Sequence, residues 1–183
     1  CQRWVPPALV FLLLGLPEIK VRKSILTAAV VALLLAFFSL TTANWIAFER
    51  NDLSGLSRSL RTLPGNQRLI GLSFMRESAV VRGRPFIQVF AYAQVYRGGE
   101  LNFSFADFGP SLVIYKRPRR LAWTSGLEWF PERAKKSDLL SFDYALVSGD
   151  EKLHAGIAQE GALIPQTPSG RWRLYKVRVP TPE

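Results

Sequence analysis

Side chains capable of nucleophilic or metal chemistry are scarce in this sequence. The chain contains one histidine, His154, and one cysteine, Cys1. A nucleophilic triad needs a base beside its nucleophile, and a zinc site needs three or four Cys, His or carboxylate ligands. The sequence also lacks a Gly-x-Ser-x-Gly turn and a Gly-x-x-x-x-Gly-Lys phosphate loop. We therefore expect no metal site and no cofactor, and we assign no catalytic residue. His154 is expected on the solvated surface of a helix.

Carboxylates are the remaining source of acid–base chemistry. Glycosyl chemistry uses one or two placed carboxyl groups. By elimination, the candidates are Glu77, Glu100, Asp107 and Asp143. Asp143 falls inside a predicted strand, where it faces solvent or orients a loop.

A basic cluster offers a different chemistry, the binding of phosphate. Lys116, Arg117, Arg119 and Arg120 are interrupted only by Pro118. Clusters of Lys and Arg at a membrane surface attract lipid phosphates, which makes these four residues candidate lipid-phosphate contacts. A solvated strand end is the alternative interpretation.

The charge of the whole chain agrees with an acidic partner. Its 183 residues include 24 Lys and Arg against 14 Asp and Glu, a formal net charge of +10. Lipid headgroups, phosphates and nucleic acids all attract such a chain, and a generic basic surface beside an anionic membrane explains it equally. Arg and Trp alternate at positions 171–173, which resembles a stacking platform for bases. Strand alternation explains this pattern without a ligand, so no nucleic-acid partner is expected.

The stretch 24–48 determines where all these residues can be placed. It reads SILTAAVVALLLAFFSLTTANWIAF and contains no charged residue. A helix of this length, at ~1.5 Å per residue, reaches roughly 36 Å and crosses a ~30 Å hydrocarbon core with some tilt. Trp45 falls where an interfacial aromatic belongs. We predict a transmembrane helix over 24–48, with a buried helix of a globular protein as the alternative.

Charges on either side of this helix predict its orientation. Lys20, Arg22 and Lys23 precede it, whereas Glu49 and Arg50 follow it in near balance. Positive charge is retained in the cytoplasm. The segment 49–183 is therefore expected to be an extracytoplasmic domain at the inner, cytoplasmic membrane, with the lipid bilayer as a partner.

The segment 1–19 contains a second, shorter apolar run. Trp4–Leu16 is too short to span a bilayer. A signal-peptide core would need a small-residue cleavage site, and Pro-Glu follows instead. We interpret the segment as the end of a truncated transmembrane or interfacial segment, because the chain begins at Cys1 without Met. The parent protein would then be polytopic.

Residues 49–183 alternate between helix-like and strand-like patterns, which predicts an α/β or α+β fold with a small mixed sheet and flanking helices. The stretch 121–136 has no period and is expected to be a loop packed by its own aromatic residues. The last strand alternates strictly, so a place at the sheet edge, or one wet face, is expected. Helices are predicted over 51–61, 85–96 and 151–160, and strands over 68–74, 101–105, 111–115, 142–147, 162–164 and 170–179.

Several short motifs share their order and spacing with a known group of proteins. They are Pro85-Phe86, Ala91-Tyr92, Arg97-Gly98-Gly99, Ser104-Phe105-Ala106, Phe142-Asp143-Tyr144-Ala145-Leu146-Val147 and Trp172-Arg173-Leu174-Tyr175. The chain resembles, over about residues 20–183, the C-terminal region of bacterial polytopic membrane glycosyltransferases of the dolichyl-phosphate-mannose mannosyltransferase-like group. Where that group has a His after Pro-Phe, this chain has Ile87 and Gln88.

The resemblance implies a lipid-linked donor and a soluble domain that covers the membrane-embedded site. Its implied ligand is a polyprenyl-phosphate-linked sugar, and its catalytic acid lies in an early extracytoplasmic loop, outside this stretch of chain. Whether this chain belongs to an active enzyme stays open. The alternatives are a non-enzymatic, membrane-anchored binding or assembly module and a cytoplasmic domain that binds anionic lipid or nucleotide.

Overall fold

The computed structural model of the chain describes residues 22–104, 112, 116 and 122–178. The chain divides into two units, Cys1–Ala43 and Asn44–Glu183. The predicted segment 1–19, Asp107 and the predicted strand 111–115, apart from residue 112, lie outside the described residues.

Helix α1, Lys23–Ala47, confirms the predicted long apolar helix. None of its residues is buried, as expected for a helix whose surroundings are not protein. One turn of π-helix, Phe48–Asp52, continues it directly. Within the described residues this is the one helix long and apolar enough to span a membrane.

In its described residues the second unit contains four more α-helices and a five-stranded mixed sheet, which confirms the predicted fold class. Its strand order is β2-β1-β3-β5-β4, with β1 parallel to both β2 and β3, and β5 antiparallel to β3 and β4. The strands are β1 Arg68–Ser73, β2 Glu100–Leu101, β3 Tyr144–Ser148, β4 Leu163–Pro165 and β5 Trp172–Val177. The helices are α2 Leu56–Thr62, α3 Ala91–Arg97, α4 Lys136–Leu139 and α5 Glu151–Glu160.

Both faces of the sheet are buried, because neighbouring residues of each central strand point to opposite sides. Leu69 belongs to a core cluster with residues of α2 and α3, and Ile70 belongs to a second cluster. The second cluster is covered by residues of α5 and by Leu127. Helices therefore cover both faces of a single sheet, and loops at the strand ends are left to carry polar groups.

Local sequence signals explain α5 well. The Asp150 carboxylate accepts a hydrogen bond from the Leu153 N–H at 2.8 Å, which caps the first turn. Gly161, in the left-handed conformation, ends the helix. The predicted helix 151–160 is confirmed to the residue.

Two other helix predictions were wrong at their starts. A helix over 51–61 capped by Asn51 or Asp52 was expected, but α2 begins after Gly55 because the π-helical turn continues through Asp52. The second was expected over 85–96, but turns occupy residues 85–90 and α3 begins only at Ala91.

The remaining differences concern short elements. The expected loop 121–136 contains the 3₁₀ turn Pro131–Arg133. A strand was expected over 101–105, but the observed strand β2 covers only Glu100–Leu101. Only these two residues pair with β1, opposite Arg68 and Leu69. β5 lies inside the sheet, between β3 and β4, so the prediction that it is an edge strand was wrong. Lys176 is the exposed residue of an otherwise largely buried strand.

Candidate functional site

The carboxyl ends of β1 and β3 form the most chemically interesting edge of the sheet. In sheets with parallel strands and covering helices, ligands bind at this edge. Ser73 and Ser148 end the two strands in register, and their hydroxyl oxygens lie 3.0 Å apart. The Ser73 hydroxyl lies 3.2 Å from the Met75 carbonyl, to which it donates. The Ser148 hydroxyl therefore donates to Ser73, and both hydroxyls are buried.

Glu128 places a buried carboxyl group at the same edge. The residue is only 5% exposed and lines a small cavity together with Ser73, Met75 and Trp129. Burial raises the pKa of the Glu128 carboxyl, and the hydrogen bond to its own backbone offsets this only in part. Among the described residues, no side chain pairs with it. A carboxyl held in this way keeps its proton to a higher pH than an exposed one does.

Two guanidinium groups border this cavity. Arg76 and Arg84 both contribute to its lining. Arg76 donates to both carboxylate oxygens of Glu132, at 3.0 and 3.2 Å. With Trp129 43% exposed at the rim, the edge combines an acid, cations and an aromatic face. The cavity has a volume of only about 10 Å³, room for about one water molecule, so a sugar or a phosphate would bind at its rim, against Arg76, Arg84 and Trp129.

A second polar group of residues lies where α1 and the π-helical turn end. The Asp52 carboxylate is buried and accepts hydrogen bonds from Ser78 at 2.5 Å and from Arg171 at 3.0 Å. Its backbone carbonyl accepts from the Trp172 indole N–H at 3.0 Å. These contacts join the turn, the loop after β1 and the start of β5.

His154 was expected on a solvated surface, and this expectation was wrong. The residue is 1% exposed. Its Nε2 lies 3.0 Å from the Arg171 carbonyl, so Nε2 carries the proton and donates. Its Nδ1 then accepts from the Tyr175 hydroxyl at 2.8 Å. Burial lowers the pKa of His154, which keeps the imidazole neutral, and its role is structural.

The three predicted carboxylates that the structure describes, Glu77, Glu100 and Asp143, are not gathered at the carboxyl edge. Asp143 pairs with Arg68 at 3.0 Å at the amino end of β1, and Glu100 is in register with Arg68. The hydrogen bond from Arg68 lowers the pKa of Asp143, so its carboxylate stabilises a strand end. Glu77 is exposed in the loop after β1.

The predicted phosphate cluster is only partly described. Lys116 is exposed, while Arg117, Arg119 and Arg120 lie outside the described residues. The prediction of a lipid-phosphate contact at these four positions stays a prediction. Within the part of the chain that the structure describes, no group of three or more His, Cys, Asp and Glu could hold a metal ion.

The sequence offered a signal for the two serines but not for Glu128. Ser73 and Ser148 each end an apolar run that reads as a strand, and parallel pairing brings such ends together. Glu128 stands in a stretch without periodicity, where nothing distinguishes a buried acid from a surface one.

Comparison of the chain with protein-family models, with curated proteins and with solved structures finds no match. A function therefore has to be inferred from the apolar helix and from the chemistry of the carboxyl edge.

Proposed function

We propose that this chain is part of an integral membrane protein that handles a lipid-linked sugar, in which residues 49–183 form an accessory domain that covers the substrate. We place the domain outside the cytoplasm because Lys20, Arg22 and Lys23 lie directly before the apolar stretch 24–48, whereas Arg50 is the one basic residue directly after it. It holds the sugar or phosphate portion of the donor, and the chemical step belongs to other parts of the protein.

This proposal depends mainly on one observation: the apolar helix α1 runs directly into residues that are buried in the core of the second unit, Phe48 and Asp52. Residues that follow α1 directly enter the core of the second unit: Phe48 is 6% exposed, and its ring stacks on that of Phe86 with centroids 5.8 Å apart. Asp52 is fixed by Arg171 and by the Trp172 indole. Because Phe48 directly follows α1, the domain begins at the end of the apolar helix, and a membrane-bound substrate lies within its reach.

The carboxyl edge supports the class of ligand. Trp129 at the rim offers an aromatic face for the apolar side of a sugar ring, and Arg84 attracts phosphate, while the Glu128 carboxyl is buried in the small cavity that they border. A glycosidase would need two carboxyl groups facing one another across the bond. Among the described residues only Glu128 lines this cavity as a carboxylic acid, which favours holding a sugar over cleaving it.

The second candidate is a non-enzymatic, membrane-anchored binding or assembly module. Glu128 is the one carboxylic acid that lines the cavity among the described residues, and this favours it too, because binding needs no second catalytic group. The two candidates differ in their ligand, a lipid-linked sugar in the first and a protein in the second.

Binding to a polyprenyl-phosphate-linked hexose in nanodiscs tests the proposal. We expect the full chain to bind it, and Trp129→Ala to weaken binding by about tenfold, on the scale of the ~1–3 kcal/mol that a base gains by stacking on an aromatic side chain. Phe130→Ala is the matched control, because Phe130 is similarly exposed, at 39%, but does not line the cavity. Absence of binding by the unmodified chain, or equal losses in both variants, would reject the sugar ligand and favour the assembly module.

A further inference from the structure

A groove of about 600 Å³ lies beside the last turn of α1 and the π-helical turn. Three arginines line it: Arg50 from the π-helical turn, and Arg58 and Arg61 from α2. Ile46 lines the same groove on the apolar side, and Glu49 is its one acidic residue among the described residues. The groove therefore carries an excess of positive charge next to an apolar wall.

The three guanidinium groups are available to a ligand. All three residues are exposed, and within the described ranges none of them forms an ion pair. Arg58 and Arg61 are three residues apart, so they lie on one face of α2. Arg97 donates to the carbonyls of Leu60 and Arg61, at 2.8 and 2.6 Å, and thereby fixes the end of that helix.

The floor of the groove is built from closely packed backbone. A Cβ atom on Gly55 would lie 2.5 Å from the Trp172 carbonyl oxygen, and one on Gly170 would lie 2.7 Å from the Gly55 Cα. Both glycines have positive φ angles, +85° and +109°, which other residues rarely adopt. The shape of the groove is therefore set before any ligand arrives.

The groove also lies at a suitable depth for a lipid headgroup. Trp45 is 63% exposed, as an aromatic residue at the membrane interface would be. Arg50 follows five residues later, at most roughly 7 Å further along the helix axis. The headgroup layer of one leaflet is itself about 5–8 Å thick. Tyr96, 68% exposed, lines a neighbouring cavity with Arg61 and adds a second interfacial aromatic.

We propose that this groove binds the phosphate headgroup of an anionic bilayer lipid, with Arg50, Arg58 and Arg61 as the phosphate contacts. A guanidinium group can donate two parallel hydrogen bonds to two oxygens of one phosphate. In the proposed complex, Ile46 contacts the glycerol backbone or the upper acyl chain of the lipid. The inference rests on the membrane anchoring in the proposed function, and it adds a specific lipid site distinct from the sugar site at the carboxyl edge.

Retention of phosphatidylglycerol by the full chain tests this proposal. The protein is purified in neutral detergent, mixed micelles supply phosphatidylglycerol, and native mass spectrometry counts the bound lipids. A surface arginine contributes enough to anionic-lipid binding that its loss weakens affinity about fivefold. The variant Arg50→Gln/Arg58→Gln/Arg61→Gln should therefore lose on the order of a hundredfold.

A matched control removes the same charge elsewhere. Arg82, Lys152 and Lys176 are exposed residues that do not line the groove, and their replacement by Gln should change affinity less than about threefold, as screened long-range charges do. Circular dichroism checks that both variants are folded. Equal losses in the two triple variants would overturn the site, because binding would then follow net charge alone.

Free glycerol phosphate distinguishes a lipid from a soluble ligand. We expect the headgroup alone to bind far more weakly than the lipid, and equal affinity would overturn the assignment to the bilayer. Extraction at alkaline pH separates this inference from the proposed function. If the chain is extracted but the arginines still control lipid retention in micelles, the groove stands and the membrane anchor fails.

Discussion

The Asp52 carboxylate, 3% exposed, accepts a hydrogen bond from Arg171 Nη1 at 3.0 Å across a sequence separation of 119 residues. The pair joins the π-helical turn after the apolar helix to the residue directly before β5. Its two members are unequal, because the Arg171 side chain is half exposed and the aspartate is buried.

This inequality predicts an asymmetry between the two substitutions. Arg171→Gln leaves a buried carboxylate with Ser78 as its remaining side-chain partner and should lower the free energy of unfolding by about 2 kcal/mol or more. Asp52→Asn leaves an arginine that water can solvate, and should cost about 1 kcal/mol. Arg68→Gln, which breaks the exposed pair with Asp143, is the control and should cost less than about 1 kcal/mol. Denaturant unfolding in detergent measures all three, and equal costs would show that burial does not govern the pair.

Gly71, the single glycine of β1, is predicted to tolerate no side chain. A Cβ atom there would lie 2.1 Å from Cγ of the buried Phe90 ring, so α3 and its preceding turn would have to move. Gly71→Ala should destabilise the fold by roughly 1–3 kcal/mol. Gly156→Ala is the matched control, since a Cβ there meets nothing within 4 Å inside α5, and it should stabilise by about 0.5–1 kcal/mol. A destabilising Gly156→Ala would contradict the position of α5.

His154 should make stability fall at mildly acidic pH. Burial lowers its pKa below the ordinary value of about 6.5, so the unfolded chain takes up a proton first as the pH decreases. Stability is therefore full above about pH 6.5 and decreases below it, until the pH reaches the folded-state pKa. Because the chain contains one histidine, its imidazole resonance can be followed directly by NMR. Titration at or above the ordinary pKa would contradict the buried, neutral ring.

Glu128 should act in the opposite direction. Its raised pKa means that the folded state retains a proton that the unfolded chain has released, so stability decreases as the pH rises above about 4.5 towards the folded-state pKa. Glu128→Gln imitates the protonated acid and should raise the melting temperature at neutral pH by a few degrees while flattening this dependence. Glu132→Gln is the control, because Glu132 is exposed and paired with Arg76. A lower melting temperature for Glu128→Gln would show that the carboxyl is ionised.

Elements with strong local signals could be predicted from the sequence. Uniform apolar composition identifies α1, and the cap at Asp150 with Gly161 at the end identifies α5. Strand β3 was found within two residues because its apolar run is bounded by Ser-Gly-Asp.

Burial of polar groups could not be predicted, because it depends on distant partners. His154 lies in α5 on a sequence that looks solvated, and its burial depends on Tyr175 and on the Arg171 carbonyl in the region of β5. Asp52 looked like a helix cap, yet its partner is 119 residues away. Glu128 gave no local signal at all. The candidate site was missed for the same reason: tertiary packing, and not spacing along the chain, assembles it.

Accessibility of a single introduced cysteine tests whether the membrane-anchored domain lies outside the cytoplasm. In a Cys1→Ser background, Gln159→Cys places a thiol on the exposed face of α5, and Ser148→Cys places one at a buried position. With a membrane-impermeant maleimide on intact cells, we predict labelling of Gln159→Cys and none of Ser148→Cys until the protein is denatured. Labelling of Gln159→Cys only after the cells are lysed would contradict the account.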